Sequence, residues 1–210
     1  MSRTQIFNVS EVAEADLQAA AQAVAQGAVA AVPTDTVYGL VSGAFCAAGI
    51  ERIYRLKNRP IYQPLQLLVA DIEQVRSIAK ISFAAENLAR QFWPGALTLI
   101  LPATPQGEPL LRGAAGLGIR VPDTKFLRQF LACINGPLAC TSANEHGQPV
   151  LTKEEDLVEC FNGKVDFIFK GGTLSPMASS VLDLTQLPRL LREGAISRVA
   201  LEVTSGESIL

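Results

Sequence analysis

Apolar and polar positions divide the chain into short runs of two periodicities. Helical spacing over residues 11–26 predicts an amphipathic helix, with Ser10 as N-cap, Glu11 and Glu14 in the first turn where the helix dipole favours acid, and Gly27 closing it at C′. The apolar run Ala28–Val32 reads as a buried strand, ended by Pro33 because proline cannot donate to a ladder. Three consecutive polar residues follow, Thr34, Asp35 and Thr36. Tyr38, Gly39 and Leu40 then return the chain to the interior, and Val41–Ala44 forms a second short strand. A strand that stops at hydroxyls and a glycine is how α/β folds present a site at a sheet edge. A turn whose Thr and Asp bond their own backbone gives the same pattern, so both readings stay open here.

Further along, Ile50, Ile53 and Tyr54 share one face of a helix over 48–57, which Asn58 and Pro60 stop. Lys57 and Arg59 therefore sit at a helix C-terminus, where cations are also ordinary dipole partners. Residues 65–70 predict a strand, 71–79 and 82–92 two helices, and 97–101 a strand. The loop 102–117 is rich in Pro and Gly, and its Gly113–Gly116 stretch can point backbone N–H groups at an anion. A strand over 118–123 sets Arg120 between apolar neighbours. Facing inward it needs an anionic partner; on an edge it faces water. After a helix over 125–134, the strand Leu138–Cys140 also stops at polar residues, Thr141, Ser142 and Asn144, which points to a site shared between strand ends. Thr152 and Glu155 form a capping box for a helix over 152–160. Strands follow over 165–169, 181–184 and 189–191, and Arg192–Ile196 closes the core. The tail 197–210 has little pattern and reads as frayed. With no repeat and no linker, the chain reads as one α/β domain over 1–210, core about 10–197. The irregular order of elements predicts a twisted mixed β-sheet with flanking helices rather than a regular βαβ wind.

Composition narrows the chemistry. The 210 residues are 49% hydrophobic and 18% charged, as in a globular chain. The net charge of −2 makes no overall case for nucleic acid, although a local basic cleft stays open. Cys46, Cys133, Cys140 and Cys160 form no C-x-x-C pair, and the single histidine, His146, has no neighbouring cysteine, which argues against zinc and for a reducing compartment. Glu11, Glu14 and Asp16 interrupt any leader-like start, and no run of about 18 apolar residues exists, so the expectation is a soluble cytoplasmic protein with no membrane contact. There is no G-x-S-x-G elbow, no Walker A motif and no G-x-G-x-x-G, and Ser142 and His146 are too close on one loop for a separately held base. What remains is a set of cations (Lys57, Arg59, Arg120, Arg192) and small polar groups (Thr34, Thr36, Ser142, Asn144, Ser179, Ser180) at element ends. That set suits a polyanion and a reaction driven by positioning and charge neutralisation, as in phosphoryl and nucleotidyl transfer.

Pro33–Leu40, Lys57-Asn-Arg59-Pro60, Pro64-Leu65, Trp93–Thr98, Arg120–Asp123, Ser142-Ala-Asn144, Ser179–Asp183 and Arg192–Ala195 together resemble the YrdC-like family over about residues 10–197. The family's long members carry a further C-terminal domain, and the chain resembles the short, single-domain form. The resemblance implies the YrdC-like α/β twist with a deep cationic cleft and an L-threonylcarbamoyladenylate synthase. Such an enzyme joins L-threonine and bicarbonate into a carbamate that attacks the α-phosphate of ATP, with Mg²⁺ on the nucleotide. A downstream tRNA threonylcarbamoyl transferase complex takes the product. It further implies Lys57, Arg59, Ser142 and Asn144 at the reacting centre. ATP would meet Arg59, Gln63, Ser142, Val150 and Arg192; threonine would meet Thr36, Leu68, Arg120, Cys140 and Ser179; no residue is assigned to a metal. Leu68 stands where the family often has histidine, Gln63 where lysine or asparagine is common, Thr141 where proline is frequent, and Glu145-His146 replaces the usual pair. The alternatives weighed are an RNA- or tRNA-binding module and a paralogue that binds another carbamoyl nucleotide.

Overall fold

The structure is a computed structural model that describes residues 3–144, 147–175 and 177–210. Glu145 and His146 lie outside the described residues. In chain order the elements are β1 (Gln5–Asn8), α1 (Glu14–Ala25), β2 (Ala30–Pro33), β3 (Tyr38–Gly43), α2 (Ala47–Lys57), β4 (Gln66–Leu68), α3 (Ile72–Ile78), α4 (Phe83–Phe92), β5 (Leu97–Leu101), a 3₁₀ turn (Glu108–Leu110), β6 (Leu117–Arg120), α5 (Lys125–Ala132), β7 (Leu138–Ser142), α6 (Glu154–Phe161), β8 (Phe167–Lys170), β9 (Ser180–Asp183), β10 (Arg189–Arg192) and α7 (Arg198–Ser205).

All ten strands join one sheet in the order β1-β8-β2-β3-β7-β4-β6-β5-β9-β10. It is mixed: β1·β8, β2·β8, β4·β6 and β5·β9 are parallel, and the other neighbours are antiparallel. Because side chains alternate across a strand, each register assigns its residues to a face. Leu67, Leu97, Leu99, Ile119, Ala139 and Leu182 point to one face and pack under α2, α3, α4 and α7, while Ala31, Leu40 and Ile168 pack there under α2 and α6. The opposite face is divided. Across β8, β2, β3 and β7, Phe169, Ala30, Val32, Val41 and Leu138 are sealed by α1 and α5. The Phe126, Phe130 and Phe169 rings pack there with centroids 4.9–5.8 Å apart. Across β4, β6, β5 and β9 the same face presents Gln66, Gly118, Thr98, Ile100 and Val181 to an open cleft.

Several boundaries differ from the sequence reading. Strand β2 includes Pro33, whose position at the end of the ladder tolerates a missing N–H, and β3 starts at Tyr38 because Gly39 and Leu40 pair with Ser142 and Thr141. The same pairing carries β7 through Ser142. Ser10 does not cap α1, which begins after Ala13; Ser10 bonds the Asn8 side chain instead. Thr152 does not cap α6, which begins after Lys153 with no side-chain cap. The tail is not frayed: Ser197 caps α7 through Ala200 N, Gly206 ends it with φ +73°, Leu201 reaches the core, and Leu210 exchanges backbone bonds with Pro188 and Leu190. Strand β1 was not foreseen; pairing with β8 makes it. Gly27 does close α1, with φ +110°.

Candidate active site

The cleft on the uncovered half of the sheet has a volume of about 390 Å³. Three arginines line it, Arg59, Arg120 and Arg192, together with hydroxyls of Thr36, Thr98, Ser142 and Ser179.

Each arginine is held from behind. Arg120 projects from the end of β6 and is almost fully buried. Its Nε donates to the Gly95 carbonyl (2.9 Å), one terminal nitrogen donates to Thr36 Oγ1 (3.1 Å), and the other makes a 2.6 Å ion pair with Asp35. The polar turn after β2 supplies both partners. Thr34 Oγ1 holds that turn by donating to Val37 O and accepting from the Thr36 and Val37 amides. The turn is self-bonded as one reading had it: Thr34 closes it, which leaves Asp35 and Thr36 aimed at Arg120. Tyr38 anchors the turn from the other side, donating to Gly172 O and accepting from Gly171 N. Arg59, just past α2, donates to the carbonyls of Gln63 (3.3 Å) and Pro64 (3.1 Å). Arg192 ends β10 and donates to Ser179 O (2.9 Å) and Ser179 Oγ (3.0 Å). Ser180 Oγ pins the loop that follows β10 by donating to Ile196 O and accepting from Gly194 N and Ile196 N. Residue 194 must be glycine for this, since a Cβ would lie 2.3 Å from Ala178 O. Burial lowers the pKa of both Arg59 and Arg192, and the Arg120 charge lowers that of Arg192 further. Three guanidinium groups thus border one cleft, Arg120 paired with Asp35 and Arg59 and Arg192 with carbonyl and hydroxyl partners.

Lys57 has a different place. The last residue of α2, it is 2% exposed and does not line the cleft. Its three ammonium protons go to Ser142 O (2.6 Å), Asn144 O (2.7 Å) and Asn144 Oδ1 (2.8 Å). Asn144 Oδ1 also accepts from Ser142 Oγ at 2.6 Å. Lys57 and Asn144 form a strut behind the β7 end, and Ser142 is the member of that set on the cleft wall. Desolvation, with Arg59 nearby, lowers the Lys57 pKa to about 8.

Of the residues singled out from sequence, the structure brings Thr36, Arg59, Arg120, Cys140, Ser142, Val150, Ser179 and Arg192 together around one cavity. Gln63 takes part through its carbonyl, which orients Arg59. Leu68 does not reach the cleft; it is buried with Leu138 and the α5 side chains, so the place of the family's histidine is core here. Cys140 is on the wall, but burial raises its thiol to about 11, which leaves it protonated and no nucleophile at neutral pH. Sequence reasoning missed Gln66 and Thr98. Each is the lone polar residue on an interior strand, in Leu65-Gln-Leu67 and Leu97-Thr-Leu99, and that interruption was the available signal. Among the described residues no group of three or more His, Cys, Asp or Glu converges, and no described helix is long and apolar enough to cross a membrane.

Fold and site define a class: an α/β protein with an arginine-lined cleft at strand ends and no paired nucleophile and base among the described groups. The family model Sua5_yciO_yrdC, described by the words telomere recombination, matches residues 22–194, and the chain belongs to this family. It is 36% identical over 209 residues to a threonylcarbamoyl-AMP synthase of Pyrococcus abyssi, which covers 97% of this chain and 62% of the relative. It is 31% identical over 183 residues to that of Vibrio vulnificus, covering 85% and 98%. Among solved structures, P. abyssi Sua5 complexed with L-threonine superposes with a TM-score of 0.91 at 35% identity, over 99% of this chain and 63% of that one. E. coli YciO superposes with 0.86 at 25% identity, over 96% and 100%. The chain thus spans about three fifths of its Pyrococcus relative and nearly the whole of its Vibrio relative.

Proposed function

We propose that the protein is a threonylcarbamoyl-AMP synthase, which joins L-threonine, bicarbonate and ATP into threonylcarbamoyl-AMP and pyrophosphate. The observation that carries this reading is the convergence of Arg59, Arg120 and Arg192 on a cleft whose one thiol is held neutral, in a chain 36% identical over 97% of its length to a protein of that name.

The chemistry asks for such a cleft. The threonine amine and bicarbonate condense to a carbamate with loss of water. A carbamate oxygen then bonds to the α-phosphorus, and the bond from that phosphorus to the bridging oxygen breaks as pyrophosphate leaves. The nucleophile needs no activation by serine or cysteine. The obstacle is repulsion between two anions, and fixed guanidinium groups lower it most where water is excluded. Arg59 and Arg192 stand at the cleft where a triphosphate would lie. Arg120, whose one terminal nitrogen donates to Thr36 while the other makes no hydrogen bond among the described residues, keeps N–H groups suited to the threonine carboxylate in a paired contact. Ser142 contributes a hydroxyl at the meeting point, kept in place by the Lys57 strut. The wall offers guanidinium, hydroxyl and amide groups rather than a carboxylate cluster, so Mg²⁺ would enter as part of the nucleotide, on its phosphate oxygens. The adenylate would pass in the cytoplasm to a tRNA threonylcarbamoyl transferase.

Pyrophosphate release from MgATP tests this directly. Release should require both L-threonine and bicarbonate, and Arg59→Ala should lower it by about a hundredfold or more with the fold intact. Release that ignores the amino acid, or none at all from folded protein, would refute the synthase and favour an RNA-binding relative, whose binding would fall steeply with salt.

A further inference from the structure

The floor of the cleft carries a chain of polar side chains that the phosphate chemistry leaves unused. Gln66 on β4 and Thr98 on β5 are separated by β6, a distance of two strand spacings, about 9.5 Å. They nevertheless meet: Thr98 Oγ1 donates to Gln66 Oε1 at 3.2 Å. Gly118, on the cleft face of β6 opposite Ile100, adds no side chain to the floor there; a Cβ on it would meet Thr98 and Ile100 at 3.7–3.9 Å. Thr98 Oγ1 in turn lies 3.1 Å from Ser179 Oγ. At its other end the Gln66 amide hydrogen-bonds the Cys140 thiol. A carboxamide has two N–H donors. With its oxygen held by Thr98, the Gln66 amide is left with its nitrogen as the donor end, and Gln66 lines the cleft.

The place of Gly118 is fixed relative to Arg120. Gly118 and Arg120 point to the same face two residues apart, about 6.5 Å along the strand. An α-amino acid with its carboxylate on Arg120 would have open floor at Gly118, within the wall that Gln66 and Thr98 line, for its side chain.

We infer that Gln66, oriented by Thr98, sets the amino-acid specificity of the cleft by donating to the side-chain hydroxyl of a β-hydroxy amino acid. The inference rests on the proposed synthase reading. A polar floor discriminates against an isostere that lacks the hydroxyl, because the amide is then buried without a partner. Valine has the shape of threonine with a methyl in place of the hydroxyl, and is the informative competitor.

The experiment compares kcat/KM for L-threonine and L-valine, read as amino-acid-dependent pyrophosphate release, in the wild type, Gln66→Leu and Thr98→Val, with thermal melts run alongside. The wild type should prefer threonine by about ten- to a hundredfold. Gln66→Leu should bring that preference to within about threefold while the KM for ATP moves less than twofold. Thr98→Val, which frees the amide to rotate and also takes a partner from Ser179, should lower the preference by about threefold with the KM for ATP unchanged, and decides the matter if Gln66→Leu fails to fold. A preference that survives in the folded variants, or a KM for ATP that changes in parallel, overturns the inference and leaves the synthase reading standing. A wild type whose pyrophosphate release does not depend on threonine instead refutes the reading on which the inference rests.

Discussion

Lys57 and Arg120 are both 2% exposed, flank the same cleft, and are neutralised in opposite ways. Arg120 has a carboxylate, Asp35, plus a hydroxyl and a carbonyl. Lys57 has three neutral oxygens and no counter-ion among its hydrogen-bond partners. The difference separates two tasks. A buried cation with a counter-ion keeps its charge and can turn leftover donors toward a ligand. A buried cation without one is stabilised only by the dipoles it gathers, so its folded form gives up the proton more easily, and what it does is hold those dipoles in place. Arg120 faces the cleft; Lys57 shapes the β7 end from behind.

Breaking the charged pair should have the largest effect on the fold. Asp35→Asn leaves Arg120 buried without its counter-ion, and we expect a loss of about 3–5 kcal/mol in denaturant melts. Lys57→Met keeps the volume but releases the Ser142–Asn144 strut. The expected loss is smaller, about 1–3 kcal/mol. Turnover should nevertheless fall by about a hundredfold, since a misplaced Ser142 spoils the approach of the reactants. A turnover loss with no change in the KM for ATP distinguishes a strut from a phosphate ligand.

Titration sharpens the contrast. The folded Lys57 ammonium titrates near 8, while the unfolded lysine titrates near 10.5. Between those values the unfolded chain holds the extra proton, so this group makes stability rise with pH there; below pH 8 both states are protonated and its contribution is flat. The stability difference between wild type and Lys57→Met should thus grow from pH 8 to 10.5, by an amount on the order of 3 kcal/mol. A difference that shrinks over this range would show that the three oxygens outweigh the lost solvation. The smallest effect belongs to Cys140. Both cations act on this thiol, each lowering its pKa, yet burial dominates and holds it near 11. Cys140→Ser should leave turnover within about threefold, whereas a nucleophilic thiol would make the same change abolish it.

Much of this was legible in the chain. The polar turn at 34–36 and the polar end of β7 identified the two strand ends that meet, because hydroxyls closing apolar runs are costly to bury without a purpose. The arginines were legible for the same reason. The depth of Lys57 was not. A lysine at a helix end reads as a dipole partner or a ligand, and only the β7 turn folding back over it shows the strut. Gln66 and Thr98 were obscured by scale: each is a single polar residue in a strand of three to five, and they pair across an intervening strand, which no local pattern reveals. The caps failed because a capping side chain does not by itself fix where a helix starts. Ser10 and Thr152 have the right side chains, but the helices begin nearer their acidic turns, at Glu14 and Glu154. Strand β1 and helix α7 owe their order to partners far away in sequence, β8 in one case and α4 with the sheet in the other.

The central claim is that cations in one cleft bring two anions together without a protein nucleophile. The most direct measurement is incubation with MgATP, L-threonine and ¹³C-labelled bicarbonate, followed by mass analysis of both the small-molecule products and the intact protein. The account requires the label in an AMP adduct of threonine and no labelled or adenylylated protein. Label or AMP found covalently on the chain, or an AMP adduct without the label, would contradict it.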